Sequence, residues 1–317
     1  MKKLYIYVSI LAFVVLGNET YAQNDISMAT HWYNRSNYNP ASIAKPDYIY
    51  FFTNVRSQWT GVSGSPTVVN IQGSDYIQSL RSAFGISMVS DNIGVTQTIN
   101  PMLTYAYVIG NDRDWWLSMG ISAGIFSRGI NGSLFEAENA DDNSLFTDLE
   151  RTTRPDANLG LEFQSSHFIL GLSTTHIFSA WKDTTLFLNA NHQYGYITYI
   201  NTDPEIYNYS VGVQVVNRFN RTIFEGNASI RFKKPTGLRS GASEIFNLGL
   251  SYRSSKELTC MFGVNITHDF RIGYAFDKSF IPGFSQNNTH EIMLEYRIPS
   301  RGSSSQENNR NTDFWYY

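Results

Sequence analysis

Only one cysteine, Cys260, occurs in the chain, so an internal disulfide is excluded; it stands among alternating apolar residues and reads as a small hydrophobe. Beyond the N-terminus there is no run of about 20 apolar residues, which excludes a helical membrane protein. Charge is scarce too: Asp, Glu, Lys and Arg make up 16% of the residues, against about 25% in ordinary globular proteins. The basic excess that nucleic acid demands is missing, since the net charge is −3. No glycine-rich phosphate loop is present. His290-Glu291 opens like a zinc-binding helix motif, but Leu294 occupies the place of the second histidine, so a metal site fails.

What is abundant is aromatic: 20 Tyr, 21 Phe and 6 Trp. A surface poor in charge and rich in tyrosine suits a boundary between lipid and water, where a ring buries its body and wets its tip. From Glu244 to Phe276 every second residue is apolar through three short segments: Phe246, Leu248, Leu250 and Tyr252; Leu258, Cys260, Phe262, Val264 and Ile266; Phe270, Ile272, Tyr274 and Phe276. A period of two puts one greasy and one small or polar face on each strand. Hairpin-length links between them make antiparallel neighbours.

The same pattern predicts strands over residues 47–56, 66–71, 83–89, 94–108, 115–127, 157–164, 167–174, 192–200, 207–216, 222–232 and 289–298, about 14 in all with the three above. The expected fold is therefore all-β, a transmembrane antiparallel up-and-down β-barrel, because only a closed barrel satisfies its backbone within hydrocarbon. Lys2 and Lys3, the apolar run from Leu4 to Leu16 and Thr20-Tyr21-Ala22 read as a signal peptide over residues 1–22, and its removal leaves a net charge of −4. Residues 23–46 read as a periplasmic lead-in that packs into the barrel mouth, 47–298 as the outer-membrane barrel, and 299–317 as a polar periplasmic tail with an aromatic end. Both termini are expected in the periplasm, which places the long connections 128–156 and 175–191 outside.

The first of these loops carries Glu136, Glu138, Asp141, Asp142, Asp148 and Glu150, most simply a solvated charged loop. Glu162, Glu225, Arg231, Asp269, Arg271, Glu295 and Arg297 fall on the polar side of their strands. They suit either a selective pore or ion-paired packing in a filled lumen. Ser173, His176 and Asp183 are the one set from which a nucleophile, base and orienter can be drawn, and nothing in the sequence fixes their geometry.

Several segments resemble the PorP/SprF family of Bacteroidetes outer-membrane proteins. They are Asn39-Pro40-Ala41 after Tyr38; Arg56-Ser57-Gln58-Trp59-Thr60-Gly61 followed by Gly64-Ser65-Pro66; Gly85, Asp91 and Gly94; Tyr105-Ala106-Tyr107; Gly171-Leu172-Ser173 with His176; Gly273-Tyr274-Ala275-Phe276-Asp277; and the run His290-Glu291-Ile292-Met293-Leu294-Glu295-Tyr296. The resemblance implies a barrel of the type IX secretion or gliding apparatus that is not an enzyme, uses no cofactor, and serves by binding. Its implied partners are outer-membrane lipid, other type IX components and the C-terminal domain of a secreted, adhesin-like cargo, with no nucleic acid. The competing reading is an outer-membrane pore for small solutes. Of the motif residues, Asn39, Pro40, Ala41, Arg56, Gln58, Trp59, Gly61, Pro66, Asp91, Gly94, His290 and Glu291 are candidates for either structural or interface roles.

Overall fold

The computed structural model describes residues 28–45, 48–111, 115–131, 149–179, 191–201, 206–218, 221–234, 243–267, 269–281 and 288–299. Fourteen strands run β1 (Tyr48–Ser57), β2 (Thr67–Ile77), β3 (Ser82–Ile93), β4 (Thr96–Asn111), β5 (Trp115–Asn131), β6 (Leu149–Ser165) and β7 (Phe168–Thr175). They continue as β8 (His192–Asn201), β9 (Tyr207–Arg218), β10 (Arg221–Lys234), β11 (Ser243–Arg253), β12 (Glu257–Asn265), β13 (Phe270–Ser279) and β14 (Asn288–Pro299). Each pairs antiparallel with its sequence neighbours, and β14 returns to β1 to close the barrel. The expected all-β up-and-down barrel is thus the observed fold.

Alternation decides which side meets lipid. Along the outside stand Phe51, Val55, Ile86, Leu103, Ile121, Leu161, Leu172, Val213, Leu250, Phe262 and Ile292, all exposed. A soluble protein of this size would not leave so continuous an apolar band in water. At the end where β1 begins and β14 finishes, outward rings pair across neighbouring strands: Trp115 with Phe163, Phe168 with Tyr199, Phe232 with Phe246, and Phe270 with Tyr296. That is the aromatic girdle of a membrane interface. Cys260 is exposed on the lipid-facing side.

Strands β2, β5 and β6 run well past their expected limits. β2 continues to Ile77, and β5 and β6 extend as a paired ladder to Asn131 and Leu149. The loop expected at 128–156 is therefore shorter, because eight residues before 157 belong to β6. Its outward residues there are Arg151, Thr153 and Pro155; Ser127 on β5 bonds Thr153, and Arg151 reaches Gln97. A ladder that has left the hydrocarbon no longer needs an apolar face. The expected signal peptide and nearly all of the expected tail lie outside the described residues, as does most of the 175–191 connection.

Candidate functional site

The lumen is filled by the chain's own residues 28–45, a polar stretch with two short 3-10 turns, Arg35–Asn37 and Pro40–Ile43. It starts level with the middle of β1, where Met28 touches Asn54, crosses to the β5–β6 wall, and returns to the foot of β1 at Lys45. Three groups of buried charges on the wall hold it.

The first grips Met28 to Thr30. Glu291 accepts from the Ala29 amide (2.8 Å), the Thr30 hydroxyl and Asn54 Nδ2 (2.9 Å). Arg56 lies 3.4 Å from Glu291 and 3.1 Å from Asp277, while Arg253 bonds Glu225 and donates to the carbonyls of Met28 and Ala29. In the second, Glu244 pairs with Arg231 and Arg271; the two guanidinium groups lie near the Tyr33 ring, whose hydroxyl donates to Glu295 at 2.8 Å. In the third, Arg35 meets Glu162 at 2.9 Å, and the Tyr196 hydroxyl donates to the same carboxylate. The luminal charges thus find partners, which buried ions require, and Asp269 sits in the β12–β13 turn instead.

Asn39, Pro40 and Ala41 form the turn seated against β5 and β6. The Asn39 side chain caps the turn through the Ala41 amide and donates to Leu161 O and Tyr196 Oη. Ser118 donates to Ala41 O, and glycine is needed beside it: a Cβ on Gly120 would overlap the Ala41 amide, and one on Gly160 the Asn39 carboxamide. Burial pushes Lys45 down to about 7, with Glu295 opposing; its ammonium lies over the Tyr50 ring, which also favours the charged form.

The remaining motif residues divide by position. Gln58, Trp59, Gly61 and Pro66 belong to the β1–β2 connection, where the Gln58 amide donates to Pro66 O and Thr60 to Asn288 O. Gly94 docks there by donating to Gly64 O, and a Cβ on Gly64 would press on Gly94 at 3.2 Å. Asp91 is buried inside the barrel. Of the neighbours His290 and Glu291, the first points outward and bonds Tyr274, the second inward. Sequence reasoning missed Arg35, Glu244 and Arg253; Arg35 meets a carboxylate 127 residues away, whereas Glu244 pairs with Arg231 of the neighbouring strand.

Beyond the plug, at the end opposite the start of β1, a vestibule open to solvent is lined by Met28, His31, Asn37, Tyr38, Asn70 and Val89. Asn100, Asn158, Thr175, His176, Tyr194 and Arg218 complete it. Pro101 has no amide proton to give β5, and Asn100 Nδ2 supplies the bond to Ile125 O at 2.8 Å. His176, in the left-handed region at φ 53°, places Nδ1 2.7 Å from Asp156. The catalytic set drawn from the sequence does not assemble: Asp156 orients His176, the Ser173 hydroxyl makes no hydrogen bond, and Asp183 lies outside the described residues. Among the described residues no group of three or more His, Cys, Asp or Glu is placed to hold a metal.

No curated protein matches the chain. Solved structures of similar shape are the toluene transporter TbuX of Ralstonia pickettii (12% identity, TM-score 0.49, 88% of this chain and 95% of that one) and the toluene transporter TodX of P. putida (10%, 0.49, 83% and 92%). The Acinetobacter baumannii outer membrane protein Omp33 is a third (10%, 0.47, 80% and 100%). The family described as type IX secretion system membrane protein PorP/SprF matches residues 20–296, nearly the whole barrel and its plug. The chain therefore belongs to the PorP/SprF family of type IX secretion system membrane proteins.

Proposed function

We propose that this barrel acts by binding: its outer mouth holds the C-terminal domain of a secreted, adhesin-like cargo while the strand-terminal end faces the periplasm and the remainder of the type IX apparatus. The observation that carries this reading is the plug. Residues 28–45 are bolted across the lumen by buried carboxylate and guanidinium groups, so the space left for a partner is a vestibule at one end. Support for the orientation comes from the paired extension of β5 and β6 beyond the apolar band, on the side opposite the strand termini, as outer-membrane barrels extend on their external face.

A pore for small solutes is the competing function, and planar-bilayer conductance separates the two. A closed barrel is expected; a steady open channel in the wild-type protein refutes the sealed-lumen reading. Deletion of the gene tests the secretion role itself. Surface display of at least one C-terminal-signal cargo should be lost, and normal display of every such cargo overturns the assignment.

A further inference from the structure

The vestibule is lined by polar atoms that the protein leaves without partners. Asn70 Oδ1 and Thr175 Oγ1 belong to side chains more than nine-tenths buried, and neither makes a hydrogen bond; nor does Asn37 Nδ2. Asn70 donates to Asn37 Oδ1 at 2.6 Å, so the two carboxamides are locked together. That leaves one acceptor, Asn70 Oδ1, and one donor, Asn37 Nδ2, without partners on residues that line the vestibule, the complement of a peptide group or of a sugar hydroxyl pair. Leaving buried groups unsatisfied is costly unless something enters to bond them.

Charge points the same way. Arg218, at the upper end of β9, lines this space and its Nε is buried with no acceptor. The nearby acids are engaged elsewhere: Asp156 by His176 and Asn100, Glu225 by Arg253 and His31. Among the described residues Arg35, Arg56, Arg231, Arg253 and Arg271 each have a carboxylate within 4.0 Å and Arg297 lies over the Tyr48 ring, whereas Arg218 has no carboxylate within that distance. A guanidinium in a shielded cavity is a strong carboxylate receptor, because its planar fork matches the two oxygens.

We propose that the vestibule is a binding site for a carboxylate carried on a hydrogen-bonding chain, with Arg218 as the anchor and Asn37, Asn70 and Thr175 contacting the atoms behind the charge. Beside Arg218, Tyr194 of the neighbouring strand β8 stacks on Tyr38 of the plug at 4.7 Å, and the pair offers an apolar surface to the ligand's aliphatic portion. In its polypeptide form the proposal rests on the reading that the outer mouth receives cargo.

The test uses the full mature protein in detergent and a fluorescent neutral hexapeptide with a free carboxyl terminus, its C-terminal amide, and succinate. The free-carboxyl peptide is expected to bind at least about tenfold more tightly than the amide, the worth of one charge-assisted pair. Arg218→Gln should abolish that preference and Arg218→Lys retain part of it, while heat-modifiable migration shows both variants to be folded barrels. Equal binding of peptide and amide, or an undiminished preference in Arg218→Gln, overturns the proposal. Succinate binding where the peptide does not keeps the carboxylate anchor and removes the support it lends to a polypeptide partner. The secretion role stands or falls separately, on the deletion phenotype.

Discussion

Glu291→Ala should loosen the plug without breaking the barrel. Glu291 is fully buried on β14, and its carboxylate collects the Ala29 amide, the Thr30 hydroxyl, Asn54 and Arg56. Deleting one member of a buried ion pair costs about 3–5 kcal/mol, much of it from the charge left behind. Here Asp277 remains 3.1 Å from Arg56, so the lower end applies: about 3 kcal/mol, or roughly a 150-fold rise in the open fraction of the plug. To read it, Ala29, which is fully buried, is replaced by cysteine in a Cys260→Ser background, and labelling by a water-soluble maleimide is timed in detergent. Glu291→Ala should accelerate labelling by about two orders of magnitude, and brief openings should appear in planar bilayers. An unchanged rate, or rapid labelling in the parent as well, refutes the claim that this carboxylate seats the plug.

Gly160→Val should displace the Asn39–Ala41 turn, because its branched side chain overlaps the Asn39 carboxamide. A loss of about 1–3 kcal/mol is expected for such overpacking, read as a lower temperature for the heat-modifiable shift. Leu172→Arg places a charge on the exposed apolar band; at about 2–4 kcal/mol near mid-membrane it should reduce assembled barrel in outer-membrane fractions, whereas Ser173→Asn on the luminal side should not. With Lys45 held near 7 in the fold and about 10.4 when unfolded, the unfolded state binds more protons between those values. Wild-type stability should therefore rise with pH across that window and be lowest below it. Lys45→Met should flatten the slope, seen in denaturation midpoints at pH 6 and pH 10.

Strands inside the membrane were legible because lipid enforces alternation, as at Leu117, Met119, Ile121 and Ile125 of β5. Where the ladder rises out of lipid, the outward Arg151, Thr153 and Pro155 erase the period although the pairing continues. Alternation therefore records the solvent as much as the strand, and the early residues of β6 read as loop. That the segment before β1 packs into the barrel was expected, but its anchoring is illegible for a different reason. Its turns are short and irregular, and its share of Asn and Ser resembles a linker until the partners on the wall are known. Those partners, Glu162 for Arg35 and Glu291 for Ala29, lie 127 and 262 residues away, and no local pattern encodes them. The motif residues Asn39, Arg56 and Glu291 were visible as motifs; that Arg56 and Glu291 hold one end of the plug while Asn39 seats its turn on β6 was not.

Arg56 and Glu291 face each other across the junction of β1 with β14, so the carboxylate that receives the earliest described segment arrives on the final strand. Until that strand docks, the Ala29 amide and the Thr30 hydroxyl lack the acceptor they share, and Arg253 on β11 is left to hold this end of the segment. Ring closure and full seating of the stopper therefore draw on the same strand. An assembly factor that delivers the terminal strand would thereby also decide when the tube becomes watertight.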